Sequence, residues 1–251
     1  CVDGAANAVQ AGCCLKFSGA AYRTSSEESL DVVIEVISGH YSCTSCSNNG
    51  VEASKGGVHG IINMNSEDVD ARPIFRLSFV DPASGSVLED APSLVKFSVL
   101  DIDDNGKLLS EAVLMHNDHV AKLYLSADTS LNVTEVSVSY TQQGGDEAHV
   151  AGTLIEGTRK SGNPKYPLSL SAEQLGAAAA FDIVNASSFE FSLFLQGVAV
   201  TGGGRNFMLA GQTSLTNAFC VPPPSLPPPS LPPPTAPPPA VPPSAPPPLL
   251  P

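Results

Sequence analysis

Eighteen of the 23 prolines in this 251-residue chain fall in its last 31 residues, VPPPSLPPPSLPPPTAPPPAVPPSAPPPLLP, as a loose five-residue repeat. Proline fixes φ near about −65° and carries no N–H, so a run of PPP blocks is barred from a helix and from any inner strand. Polyproline II is what remains. At about 3.1 Å per residue, residues 221–251 would reach roughly 95 Å, several times the radius of a compact domain. Only Ser, Thr, Leu, Val and Ala separate the proline blocks, and the tail carries no charge. Such a rod is a spacer or a rail that can pack against another surface.

The preceding 220 residues are long enough for one large all-β domain or two small ones, and 42 % hydrophobic residues suffices for a packed core. Lys and Arg number 12 against 25 Asp and Glu, a net charge of −13 that repels phosphate backbones and anionic membrane surfaces. No nucleic-acid partner is expected. No stretch approaches the roughly 20 apolar residues that span a bilayer. With neither Met nor a basic, apolar leader ahead of Cys1, the sequence reads as a processed, mature chain.

Six cysteines, Cys1, Cys13, Cys14, Cys43, Cys46 and Cys220, form an even set, as the disulfide staples of a secreted chain would. Their pairing stays open. Zinc would want paired C-x-x-C knuckles, and only Cys43-Thr-Ser-Cys46 has that spacing. A redox C-x-x-C belongs at a strand-to-helix turn, whereas HYSCTSCSNNG reads as a loop. Asn132-Val-Thr134 and Asn185-Ala-Ser187 are N-glycosylation acceptors, in keeping with secretion to the cell exterior.

Period-two apolar runs recur between turn residues: LDVVIEVIS (30–38), IFRLSFVD (74–81), LVKFSVLDID (94–103), VAKLYLSAD (120–128), EVSVSY (135–140), HVAGTLIEG (149–157), FEFSLFLQGVAV (189–200) and RNFMLAG (205–211). In FEFSLFLQ, Phe189, Phe191, Leu193 and Leu195 share one face, and Glu190, Ser192, Phe194 and Gln196 the other. The pattern predicts an antiparallel β-sandwich, Ig-like or jelly-roll-like, over 61–220, with the Cys-rich residues 1–60 as a lobe of the same domain. One helix is predicted near 171–180, where Ser171 and Gln174 form a capping box ahead of an alanine run.

The sharpest chemical pattern is Asp101-Ile-Asp103-Asp104-Asn105-Gly106 followed by Glu111, at the end of a strand. Oxygen ligands at alternating positions before a turn glycine suit a calcium ion, with Asp101, Asp103, Asn105 and Glu111 as ligands and Asp104 a weaker one. An EF-hand is excluded, because its twelfth position would be Ala112 and the loop follows a strand. The competing reading is a solvated acidic turn. His116-Asn-Asp-His119 has zinc-like spacing without a third ligand in context, so both histidines read as ordinary surface or core residues. No nucleophile elbow or phosphate-binding glycine loop is found, and without Trp an aromatic sugar platform is not expected.

The PPPSL-PPPSL-PPPTA pattern resembles the hydroxyproline-rich glycoproteins of green-algal cell walls and flagellar surface fibres, such as pherophorins and mastigoneme proteins. That resemblance implies hydroxylation and short O-linked arabinose or galactose chains at Pro222, Pro223, Pro224, Pro227, Pro228, Pro229, Pro232, Pro233, Pro234, Pro237, Pro238, Pro239, Pro242, Pro243, Pro246, Pro247 and Pro248, with Ser225, Ser230, Thr235 and Ser244 as further acceptors. The globular part is loosely similar to secreted β-domains of algae and related protists, through GGVHGIINM, FVDPASGSVL and FSVLDIDDN in that order, and no catalytic residue carries over.

The expectation that results is a non-enzymatic subunit of an extracellular fibril or wall, whose partners are copies of itself and covalent glycans. The alternative is a secreted calcium-dependent adhesin or lectin module tethered by its tail. A wall-modifying hydrolase would require carboxylates that converge in a cleft.

Overall fold

The alternating runs become two facing β-sheets. The computed structural model describes residues 2–3, 14–23, 28–51, 59–90, 92–104, 108–141, 147–211 and 213. The chain divides into two units, Cys1–Cys220 and Val221–Pro251. The second, with its polyproline run and acceptor positions, lies outside the described residues.

The strands are β1 (Val2–Asp3), β2 (Cys14–Arg23), β3 (Glu28–Ser38), β4 (Gly50–Val51), β5 (Gly60–Asn65), β6 (Ile74–Val80), β7 (Leu94–Leu100), β8 (Leu109–His116), β9 (Val120–Tyr124), β10 (Leu131–Thr141), β11 (Glu147–Gly157), β12 (Ala179–Val184), β13 (Ser188–Gly197) and β14 (Gly204–Ala210). One sheet has the order β1-β2-β3-β6-β13-β8-β11-β10 and the other β4-β5-β14-β7-β12-β9. Every pairing is antiparallel except β1 with β2. From β5 to β10 each successive strand changes sheet, so the chain repeatedly stitches one layer to the other. Residues before 61 take part in both sheets, through β2 and β3 in the larger and β4 in the smaller.

The predicted phase of 189–196 is the phase observed. Phe189, Phe191, Leu193 and Leu195 enter the core between the sheets, whereas Phe194 joins Ala112 and Leu114 in a small cluster on the other face. In that core Phe191 packs against Phe75, Phe97 and Phe189, with Phe97 and Phe189 edge-on at 5.0 Å and Phe75 stacked on Phe191 at 5.6 Å. The outer face of the smaller sheet is covered in part by α1 (Ala172–Gly176), where Leu175 packs with Tyr124, Ala180 and Met208.

That helix is shorter than predicted. Its capping box forms as read, with the Gln174 amide N–H donating to Ser171 Oγ and the Ser171 N–H to Gln174 Oε1, but it ends after five residues. The alanines that were expected to continue it, Ala177 to Ala180, are fully buried, and the last two open β12. Helix propensity favours alanine weakly, and pairing of β12 with both β7 and β9 outweighs it.

The loop between β3 and β5 is held by a buried amide network. Asn49 Nδ2 donates to Tyr41 Oη at 2.7 Å, Tyr41 donates to the Asn63 carbonyl at 3.0 Å, and the Asn63 N–H donates to Asn49 Oδ1 at 2.6 Å. Burial pushes the Tyr41 hydroxyl up to about 12 against the pull of the Asn49 bond. The folded form therefore keeps a proton that the unfolded chain releases near pH 10, and stability falls as pH rises from about 10 to 12, by roughly 2–3 kcal/mol in all. In a phenolate absorbance titration one tyrosine is expected to ionise late, and Tyr41→Phe should remove that step.

Candidate functional site

One end of the interior holds a cluster of charged groups brought together from both sheets. On β8, Glu111 shares the inward phase of Leu109, Val113 and Met115 and is 1 % exposed. On β14, Arg205 shares the inward phase of Phe207 and Leu209 and points at it. Arg205 Nε donates to Glu111 Oε1 at 2.6 Å, and its Nη2 donates to Asp103 Oδ1. Beyond β7, Asp101 takes the left-handed conformation at φ 63°, which aspartate tolerates better than most residues and which turns the chain toward the cluster. Ser161 closes the far side, its N–H donating to Asp103 Oδ2 and its hydroxyl to Asp101 Oδ1, both at 3.0 Å. Gly157 lets β11 pass this loop: a Cβ there would lie 2.6 Å from the Asp103 carbonyl carbon.

Three of the four residues read as calcium ligands thus do meet: Asp101, Asp103 and Glu111. Asn105 lies outside the described residues. An all-oxygen set suits calcium in kind. The side chains are arranged around a guanidinium, however, and among the described residues no group of three or more His, Cys, Asp or Glu side chains is placed to hold a metal ion. Burial holds the Glu111 carboxyl well above the ordinary glutamate range, with Arg205 opposing and Asp103 and Asp101 adding to the rise.

His116 and His119 belong to a different place. They line a cavity of ≈ 340 Å³ on the outward face of the larger sheet, with Glu35, Arg76, Ser78, Asp118, Ser188 and Glu190 among the walls. Strand register sets its main row, since Arg76 on β6 is paired with Glu35 on β3 and with Glu190 on β13. Arg76 Nε and Nη2 donate to Glu190 Oε1 at 3.3 and 2.8 Å, and Glu190 Oε2 lies 3.4 Å from His116 Nδ1. Glu35 Oε1 is 3.7 Å from Arg76 Nη1. The two glutamates therefore face the guanidinium between them and not each other. Period two would have placed Arg76 and Glu190 outward, but nothing local in the sequence reveals that they are neighbours.

Cys43 and Cys46 form a disulfide with each other, closing a loop of three residues' separation in a segment that enters a short 3₁₀ turn, Cys46–Asn48. So small a loop removes little chain entropy, and this bond ties no distant segments together. Cys1, Cys13 and Cys220 lie outside the described residues, as does the side chain of Cys14. Both sequon asparagines are exposed, Asn132 on β10 and Asn185 at φ 51° in the turn between β12 and β13. No described helix is long and apolar enough to cross a membrane.

No protein-family model matches this chain, and no curated protein does. Among solved structures it is similar to the N-terminal domain of the Streptococcus gordonii adhesin Sgo0707, at 13 % identity and a TM-score of 0.42, over 80 % of this chain and 47 % of that one. This chain thus spans about half the length of that structure.

Proposed function

We propose that this protein is a non-enzymatic building block of an extracellular glycosylated fibre or wall, assembled with copies of itself through its polyproline rod. The observation that carries this reading is the segregation of charge along the chain. All 12 basic and 25 acidic residues lie before residue 221, and none lies in the tail. Sandwich domains with a charge of −13 repel one another, whereas neutral rods bearing Leu226, Leu231, Val241 and Leu249 do not. Contact between rods, or between a rod and a neighbouring domain, is then the route to assembly that electrostatics opposes least. The rod contributes length and lateral contact, and sugars on its prolines would stiffen and shield it. Secretion follows from this role, as do the paired cysteines and the sequons.

Deletion of residues 221–251 tests the proposal. The truncated chain is expected to keep its β-rich circular dichroism and melting midpoint yet stay monomeric in sedimentation, while the full chain assembles and does so more readily as salt screens the domains. Filaments of the native kind from the truncated chain would make the tail a passenger.

A further inference from the structure

We infer that the cavity on the outward face of the larger sheet is a binding site for a neutral saccharide, which engages it through a vicinal diol at Glu35 and Arg76. The row of side chains across it is graded from buried to open. His116 is 4 % exposed at the side chain and Glu190 21 %, whereas Arg76 and Glu35 are 41 % and 40 % exposed. The buried pair orients the open pair: two nitrogens of Arg76 are spent on one oxygen of Glu190, so the guanidinium plane is set before any ligand arrives and its Nη1 edge is presented beside Glu35. A donor edge and an acceptor fixed side by side suit adjacent hydroxyls, each of which can donate and accept. Asp118 and His119, on the 3₁₀ turn Asn117–His119 at the rim, extend the same alternation of acceptor and donor.

Charge narrows the ligand class. Three carboxylates, Glu35, Asp118 and Glu190, against one guanidinium disfavour phosphates and uronic acids. A basic side chain, in turn, would have to share its carboxylates with Arg76, which already stands between Glu35 and Glu190. A neutral polyol meets neither objection. The cavity's ≈ 340 Å³ lies at the small end of ligand sites, enough for one or two sugar rings. Phe189, the aromatic residue among the walls, is buried in the core and offers no open ring face, so affinity rests mainly on hydrogen bonds and is expected in the millimolar range. This inference is independent of assembly through the tail, and the outcome of either test leaves the other standing.

The test is a ¹⁵N-resolved NMR titration of the full chain with methyl glycosides covering equatorial and axial vicinal diols, alongside galacturonate and a trilysine peptide. Saturable shifts confined to β3, β6 and residues 116–119 are expected for at least one neutral glycoside. Glu35→Ala, on an open side chain, should weaken binding about tenfold without changing the melting midpoint. The inference is overturned if no neutral glycoside gives saturable shifts there, if Glu35→Ala binds as well as the parent, or if trilysine or galacturonate binds the site more tightly than any neutral sugar.

Discussion

Replacing Arg205 with alanine is expected to cost the folded protein about 3–5 kcal/mol, the range found when one partner of a buried ionic group is removed. The guanidinium lies against Glu111 and Asp103, whose side chains are 2 % and 6 % exposed, so neither carboxylate can turn to water once it is gone. The deficit should depend on pH with a definite sign. Glu111 already has a folded value raised by burial, and loss of Arg205, which opposes that rise, would lift it further. A carboxyl raised on folding holds its proton more tightly in the folded state. Its cost is therefore absent below the ordinary glutamate value and grows as pH climbs through the window up to the raised one. The parent shares that cost up to its own raised value, so the extra loss opens only above it, and urea melts of Arg205→Ala should show a larger loss at alkaline pH than near about pH 5. Adding Glu111→Gln should recover about 1–2 kcal/mol at the higher pH, because it removes a buried charge and keeps the shape. A loss of less than about 1 kcal/mol, or one that is the same at both pH values, would mean that the cluster is open to solvent or relaxes freely.

Phe191→Ala should be comparably severe, at about 3–5 kcal/mol. Phe191 is fully buried at the middle of β13, and its ring touches three others, Phe75, Phe97 and Phe189, at centroid distances of 5.6, 5.2 and 6.2 Å. Those rings come from β6, β7 and β13, hence from both sheets, so the void cannot close unless the layers move together. Leu168→Ala is the control: that side chain is 60 % exposed, and a change within about 0.5 kcal/mol is expected. Equal effects at the two positions in thermal melts would place the core elsewhere.

The same residues mark where local pattern stops being informative. Phe189 and Phe191 were legible as inward and Phe194 as outward, because side chains in a strand alternate by geometry whatever the strand is paired with. The capping box of α1 was legible for a similar reason, since its two hydrogen bonds join residues three apart. β8 and β12 were not legible. Leu109–His116 is buried on both faces, with Val113 and Met115 in the core and Ala112 and Leu114 under Phe194, so no alternation survives, and the alanines before and within β12 carry a helical signal.

By itself the sequence determined the β class, the phase of its best strands, one helix start, and the uncharged proline run that no helix or inner strand can accommodate. Tertiary structure alone decided which charged groups meet. Arg205 is 94 residues from Glu111 and lies in the other sheet, and two of the residues read as calcium ligands, Asp103 and Glu111, accept hydrogen bonds from its guanidinium. Arg76 and Glu190 are 114 residues apart and become neighbours only because β6 pairs with β13. Alternation states which face a side chain occupies. Strand order, settled by the packing of whole sheets and the closure of long loops, states what it faces.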